Sequence, residues 1–168
     1  TYHIDRKRIG ALGASAGGHL TAMLALTRPE DGLDGDGGHG DQSSAIQAAV
    51  PVAAPVDLQA PLSLKIGADD PVVNRFLGGA ATELGEAARR ASPITYVRRE
   101  LPPMLIMQGT EDFRVDRRTQ TDPLIASLEA AQAPFEVLFV EGGKHGMGIA
   151  REATGLASII AFFDRALK

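Results

Sequence analysis

Within the first 26 residues an apolar run is followed by a serine bracketed by glycines and then by a helical pattern. This order constrains the fold more than any other feature of the chain. The run Arg8-Ile9-Gly10-Ala11-Leu12-Gly13 reads as a short buried strand. After it, Leu20, Met23, Leu24 and Thr27 recur at helical spacing, which predicts a helix packed on a sheet through that face. Arg28-Pro29 ends the helix. Between the two, Gly13-Ala14-Ser15-Ala16-Gly17 fits G-x-S-x-G. In that pattern a sharp strand-to-helix turn lifts the serine hydroxyl clear of the backbone. The next backbone N–H, that of Ala16, is then placed to stabilise an oxyanion.

The rest of the chain repeats the alternation. Ile46 to Ala53 is a second apolar strand, with Pro51 awkward inside it because proline cannot donate to a central ladder. Residues 58–100 read as an excursion with one or two short helices, near Pro71–Leu77 and Glu83–Ala91. Met104 to Met107 is a third strand, and a helix lies within 117–132, either starting at Asp122-Pro123 or kinked by Pro123. Phe135 to Val140 is a fourth strand. Ile149 to Leu167 is a last helix, apolar at Leu156, Ile159, Ile160, Phe163 and Leu167. Strand alternating with helix predicts an α/β fold with a mostly parallel sheet between helical layers. In such sheets chemistry gathers past the carboxyl ends of the strands.

Composition removes several competing functions. With 17 Lys and Arg against 21 Asp and Glu, the net charge is −4 and no basic block stands out, which argues against a nucleic-acid partner. There are no cysteines, hence no thiolate nucleophile and no thiolate metal site. No apolar run approaches the ~20 residues of a membrane span. The segment around Asp31, Asp34, Asp36 and Asp41 resembles a calcium loop in composition only. Counted from Asp34, its sixth position is His39 where glycine is required. No metal and no cofactor is called for.

A nucleophilic serine needs a base and a carboxylate to orient that base, and on this fold the order is serine, acid, histidine. Of the four histidines, His3 precedes Ser15, His19 sits one turn along the same helix beside the turn, and His39 lies before the second strand. His145 directly follows the fourth strand in Gly142-Gly143-Lys144-His145-Gly146, a loop free to bring imidazole over the serine. The acid should follow the third strand. Asp112 is the choice, with Glu111 and Asp116 as rivals.

These residues also carry a family resemblance. IDRKRIGALGASAGGHL (4–20) closely resembles the nucleophile segment of the esterase and lipase group of α/β-hydrolases. Its S-A-G-G-H-L is similar to the bacterial feruloyl- and acetyl-xylan-esterase-like branch. The resemblance continues through DGDGGHGDQSS (34–44), IQAAVPVAAPVDL (46–58), FLGG (76–79), ASPITYV (91–97), LPPMLIMQGTEDFRV (101–115) and EGGKHGM (141–147). It implies Ser15 as nucleophile, Asp112 as acid, His145 as base, Ala16 as an oxyanion donor, and Gly13 and Gly17 as the elbow glycines. Gln108 departs from it, standing where the family often has histidine; so do Asp116, where it often has proline, and Pro51.

The resemblance further implies that residues 1–168 correspond to the C-terminal half of one catalytic domain, lacking its N-terminal strands and the H-G-G-G-like loop. The four strands present would be the last four of the family's sheet, contiguous, with the nucleophile strand at an open edge. A second copy or the N-terminal half is then the expected partner of that edge. The implied activity is hydrolysis of a short acyl or aryl ester, possibly on a plant polysaccharide. A peptidase or amidase of the same fold, and a non-catalytic half-domain, are the rival functions.

Overall fold

The computed structural model describes residues 3–67 and 69–168. Four strands, β1 (Gly10–Ala14), β2 (Ala48–Val52), β3 (Met104–Gly109) and β4 (Phe135–Val140), form one sheet in the order β1-β2-β3-β4. Every neighbouring pair is parallel. The helices are α1 (Ala16–Leu26), α2 (Pro71–Leu77), α3 (Gly85–Arg90), α4 (Thr121–Ala131), α5 (Gly148–Arg151) and α6 (Ala153–Ala166), with short 3-10 turns at Pro29–Asp31 and Pro93–Tyr96. No helix among the described residues is long and apolar enough to cross a membrane.

β2 and β3 are buried along their whole length, as strands covered on both faces must be. One face carries Ala49, Met104 and Ile106 and packs on Ala22, Ala25 and Leu26 of α1 and on Leu124 and Leu128 of α4. The other carries Ala48, Val50, Val52, Leu105 and Met107 and packs on Ile149 of α5 and on Ile159 and Phe162 of α6. The result is a three-layer α/β/α sandwich.

Pro51 is accommodated by a local gap. β1 and β2 pair continuously through five positions, whereas β2 and β3 pair at Ala49↔Met104 and Val52↔Met107. Bonds from Ala49 N–H to Pro103 O (3.1 Å) and from Ala53 N–H to Met107 O (2.9 Å) flank the proline. By strand alternation the missing N–H of Pro51 falls on the β3 side, between those two bonds.

Two helices differ from the sequence expectation. α1 does not bury Leu20, Met23 and Leu24. It buries Gly18, Thr21, Ala22, Ala25 and Leu26, and leaves Leu20 and Leu24 exposed. The reason is the tight approach to the sheet: a Cβ on Gly18 would stand 2.7 Å from Val52 O, so the small-residue stripe faces inward. The last helix is split. Glu152 is extended (φ −59°, ψ 148°) between α5 and α6, and α6 buries Gly155, Ile159 and Phe162 while Leu156 and Ile160 face outward. α4 begins at Thr121 with Pro123 as its third residue, where the absent N–H is one of the first-turn donors that have no helical partner in any case.

The excursion between β2 and β3 is fastened by buried side chains. Gln120 Oε1 accepts from the N–H groups of Val56 (2.8 Å) and Asp57 (2.9 Å), and its Nε2 donates to Asp57 O and Pro61 O. Ser92 Oγ accepts from Leu58 N–H and donates to Ala88 O. Beneath them Leu58, Leu62, Val73, Ala81 and Ala88 form a small core of their own.

Candidate active site

Ser15 stands between the last residue of β1 and the first of α1 with φ 56° and ψ −119°, a left-handed conformation that a non-glycine residue adopts only under constraint. The constraint is visible. Ser15 N–H donates to Val52 O (2.9 Å) of the adjacent strand, and Ser15 O accepts from His19 N–H (2.9 Å), the first bond of the helix. A Cβ on Gly13 would lie 2.3 Å from Gly17 O, so the strand and helix meet there only because residue 13 is glycine. Gly17 has open space around its own Cβ position; it contributes the backbone that crowds Gly13.

Ser15 Oγ is 2.7 Å from His145 Nε2, and His145 Nδ1 is 2.8 Å from Asp112 Oδ2. Nδ1–H donating to the carboxylate leaves Nε2 to accept the serine proton. Three loops, each beginning at the carboxyl end of its strand, therefore converge on one line of hydrogen bonds. Ala16 opens α1, so its N–H is one of the first-turn donors without a helical partner, and it lines the same cavity as Ser15.

The carboxylate is held from all sides. Its side chain has no exposed surface, and Oδ1 accepts from the N–H groups of Arg114 (2.9 Å) and Val115 (2.9 Å). Oδ2 receives Gln108 Nε2 (3.2 Å) in addition to His145. Burial works to raise the Asp112 pKa, but the hydrogen bonds from His145, Val115 and Arg114 together outweigh it and leave the group below its ordinary value. Gln108, fully buried on β3, also donates to Val115 O (3.1 Å) and accepts from Thr121 Oγ1 (3.1 Å). The sequence marked Gln108 only as a departure from the family pattern. No signal in the sequence marks that contact with Asp112, which depends on where Val115 and Thr121 return in space.

Acid turn and histidine loop are laced together. A Cβ on Gly109 would stand 2.2 Å from Gly143 O. Glu111 N–H donates to Gly143 O (3.0 Å), and Gly142 N–H donates to Thr110 Oγ1 (2.9 Å). The rivals of Asp112 are elsewhere: Asp116 pairs with Arg118 (2.6 Å), and Glu111 meets the histidine loop through its backbone. Of the other histidines, His19 lies beside the turn with Nε2–H donating to Ala91 O (2.8 Å), and His39 lies in the exposed loop before β2.

A cavity of about 340 Å³ opens beside Ser15. Its lining is predominantly apolar: Leu58, Leu62, Val72, Val73, Phe76 and Val115, with His19 and Arg114 among the polar side chains.

A parallel sheet between helical layers, with a serine on its strand-to-helix turn, is the α/β-hydrolase fold. The chain belongs to the BD-FAE family, whose model matches residues 1–128. Among solved structures it resembles a truncated form of a carbohydrate esterase from gut microbiota, with 26% identity, a TM-score of 0.82, and coverage of 98% of this chain and 61% of that one. It also resembles a bifunctional GH43-CE from Bacteroides eggerthii, with 25% identity, a TM-score of 0.85, and coverage of 98% and 22%. A thermophilic esterase from Thermogutta terrifontis, Est2 with propionate bound, is similar at 26% identity and a TM-score of 0.68, over 97% and 55%. The same esterase is known phosphoramylated by tabun. The chain thus spans less than two thirds of each of these proteins. No curated protein matches the chain.

Proposed function

We propose that the protein is a carboxylic ester hydrolase that works through a Ser15–His145–Asp112 triad and an acyl-enzyme intermediate. The observation that carries this reading is the unbroken relay from Ser15 Oγ to His145 (2.7 Å) and from His145 to Asp112 (2.8 Å). His145 Nε2 takes the Ser15 proton as Oγ attacks the ester carbonyl. The Ala16 N–H stabilises the oxyanion of the tetrahedral intermediate. His145 then gives its proton to the departing alcohol oxygen, leaving the acyl group on Ser15. Water, deprotonated by His145, attacks that acyl group and releases the acid with Ser15 restored. Asp112 keeps the imidazole in the required tautomer and offsets its positive charge. No cofactor enters this scheme.

The substrates are short acyl esters or esters of carbohydrates, a reading supported by the carbohydrate esterase among the similar structures and by the propionate bound to another. The test is hydrolysis of p-nitrophenyl acetate together with labelling by a fluorophosphonate. Turnover that disappears in Ser15→Ala, and a label confined to Ser15, are expected. Ester hydrolysis that survives Ser15→Ala, or a label on Ser63 or Ser92 in place of Ser15, overturns the assignment. Peptide hydrolysis without ester hydrolysis would instead place the chain with the peptidases of this fold.

A further inference from the structure

The cavity beside Ser15 has one wall that the local sequence cannot hold up alone. α2 has seven residues, too short to be stable by itself. Val72 and Phe76, exposed at 65% and 62%, turn apolar surface toward the cavity, and Phe76 meets the His19 ring edge-on at 6.0 Å. Val73 anchors the helix in the small core with Leu58 and Leu62.

What fixes the start of α2 is Asp70. It is 2% exposed, and its Oδ1 accepts from Val72 N–H (2.8 Å) and Val73 N–H (3.3 Å). The same carboxylate accepts from both terminal guanidinium nitrogens of Arg114, Nη2 at 3.2 Å and Nη1 in close contact. Arg114 belongs to the acid turn, and its own N–H holds Asp112 Oδ1. Two further bonds, Asp116 N–H to Leu62 O (2.7 Å) and Ser63 Oγ to Phe113 O (2.7 Å), tie that turn to the near end of the segment. The far end, where the cavity wall stands, is tied by Asp70 and Arg114.

We propose that Asp70 is a positioning residue for substrate selection: through Arg114 it holds α2 against the acid turn, and the wall so formed admits a bulky apolar substituent of the ester. The inference rests on the ester-hydrolase reading for its reaction. The class of substituent follows from the lining, which offers aliphatic side chains and one phenyl ring. A volume of about 340 Å³ lies within the range of small-molecule sites. The Asp70–Arg114 pair satisfies both of its own charges, so a long apolar acyl chain fits the cavity and a charged one does not. With Asp70 uncharged, α2 drifts from the acid turn, and a large substituent loses the wall that an acetyl group does not reach.

The experiment compares p-nitrophenyl acetate with p-nitrophenyl hexanoate in the wild type and in Asp70→Asn. Asparagine keeps an oxygen for the Val72 and Val73 N–H groups while removing the charge that grips Arg114. The selectivity for hexanoate, read as the ratio of kcat/KM values, should fall about tenfold, chiefly through KM of the hexanoate. Equal losses on both esters, or no loss on either, overturn the proposal. Arg114→Lys, which retains a single cationic contact, should lie between wild type and Asp70→Asn; a loss larger than that of Asp70→Asn counts against the brace. Circular dichroism checks that each variant is folded.

A second measurement uses no turnover. Hexanoate should bind Ser15→Ala by calorimetry more tightly than acetate, and adding Asp70→Asn should remove that preference. If hexanoate binds so while no ester is hydrolysed, the ester reading fails and the cavity assignment stands. If esters are hydrolysed but hexanoate shows no preference, the cavity assignment fails alone.

Discussion

Asp112 is the residue whose surroundings say most about the proposed triad, because a buried carboxylate stays charged only where donors hold it. Replacing it by asparagine keeps the shape but turns the imidazole to the wrong tautomer. In serine proteases that change costs about 10⁴ in kcat, and Asp112→Asn should cost the same order here. Gln108 is a second side-chain donor to that carboxylate. Gln108→Leu removes a donor from Asp112 Oδ2 and leaves Val115 O and Thr121 Oγ1 without their partner. A fall of roughly tenfold in kcat, about 1.4 kcal/mol, together with a loss of about 1–3 kcal/mol in stability, is expected from steady-state rates and melting curves. An unchanged kcat would remove Gln108 from the site. His19 gives the pH dependence. Burial lowers its pKa below the ordinary 6.5, against the opposing effect of its bond to Ala91 O. The folded state therefore binds fewer protons than the unfolded chain. The stability this contributes is fully present above about pH 6.5 and is lost as pH falls through the depressed folded value. Asp112, also depressed, follows the same sign but below its ordinary 3.8, so the two windows separate. Between about pH 8 and pH 5 the wild type should lose more in Tm than His19→Gln; equal losses refute the assignment. That Ser15, Asp112 and His145 would lie together was legible in the sequence, because order and strand context are properties of the chain itself, and the three side chains do meet. The grip of Gln108 was not, since it depends on where Thr121 and Val115 return in space.

At the scale of elements, the elbow separates two glycines that the sequence pattern treats alike. Gly13 lies where a Cβ would collide with Gly17 O and approach Thr21 Oγ1 to 2.8 Å. Gly13→Ala should therefore lower stability by about 1–3 kcal/mol through overpacking against backbone. Gly17 lies in α1 with room for a side chain, and Gly17→Ala should leave stability unchanged or raise it by up to about 1 kcal/mol. Denaturant midpoints decide this, and equal effects at the two positions would mean that the turn is not built as described. The strands were readable to within a few residues because apolar runs of β-branched and aliphatic residues need no partner to be recognised. The face of α1 was misread, and of the apolar positions read in the last helix Ile159, Phe163 and Leu167 join the core while Leu156 and Ile160 stay outside, for one shared reason. Counting large apolar residues points to Leu20, Leu24, Leu156 and Ile160, whereas close backbone approach turns small residues inward, Gly18 and Ala22 of α1 toward the sheet and Gly155 of α6 against the backbone of α5. Close approach is a property of the packed pair, so the pattern of one helix cannot report it.

For the molecule as a whole, the two edges of the sheet are finished differently. β4 is guarded: Glu136 is held by Arg165 at 2.7 and 2.8 Å, and Arg117 lies over the Phe139 ring at 4.4 Å. Charges so placed discourage another strand from pairing. β1 carries no charge in Gly10–Ala14, and Leu12 is 43% exposed. Gly10 and Leu12 alternate onto the α6 face, where a Cβ on Gly10 would stand 2.5 Å from Phe163. Ile160 and Leu156 precede Phe163 on the same helical stripe and are exposed at 54% and 50%. An unpaired parallel edge and an apolar stripe thus adjoin each other, which is the combination expected to drive association, either with a second copy or with another chain. The 168-residue chain should therefore show concentration-dependent mass in sedimentation velocity. Leu12→Lys, which places a charge on the edge without altering the triad loops, should shift it toward monomer. A chain that is monomeric at high concentration and indifferent to Leu12→Lys would show that the β1 edge is protected by its own twist and needs no partner.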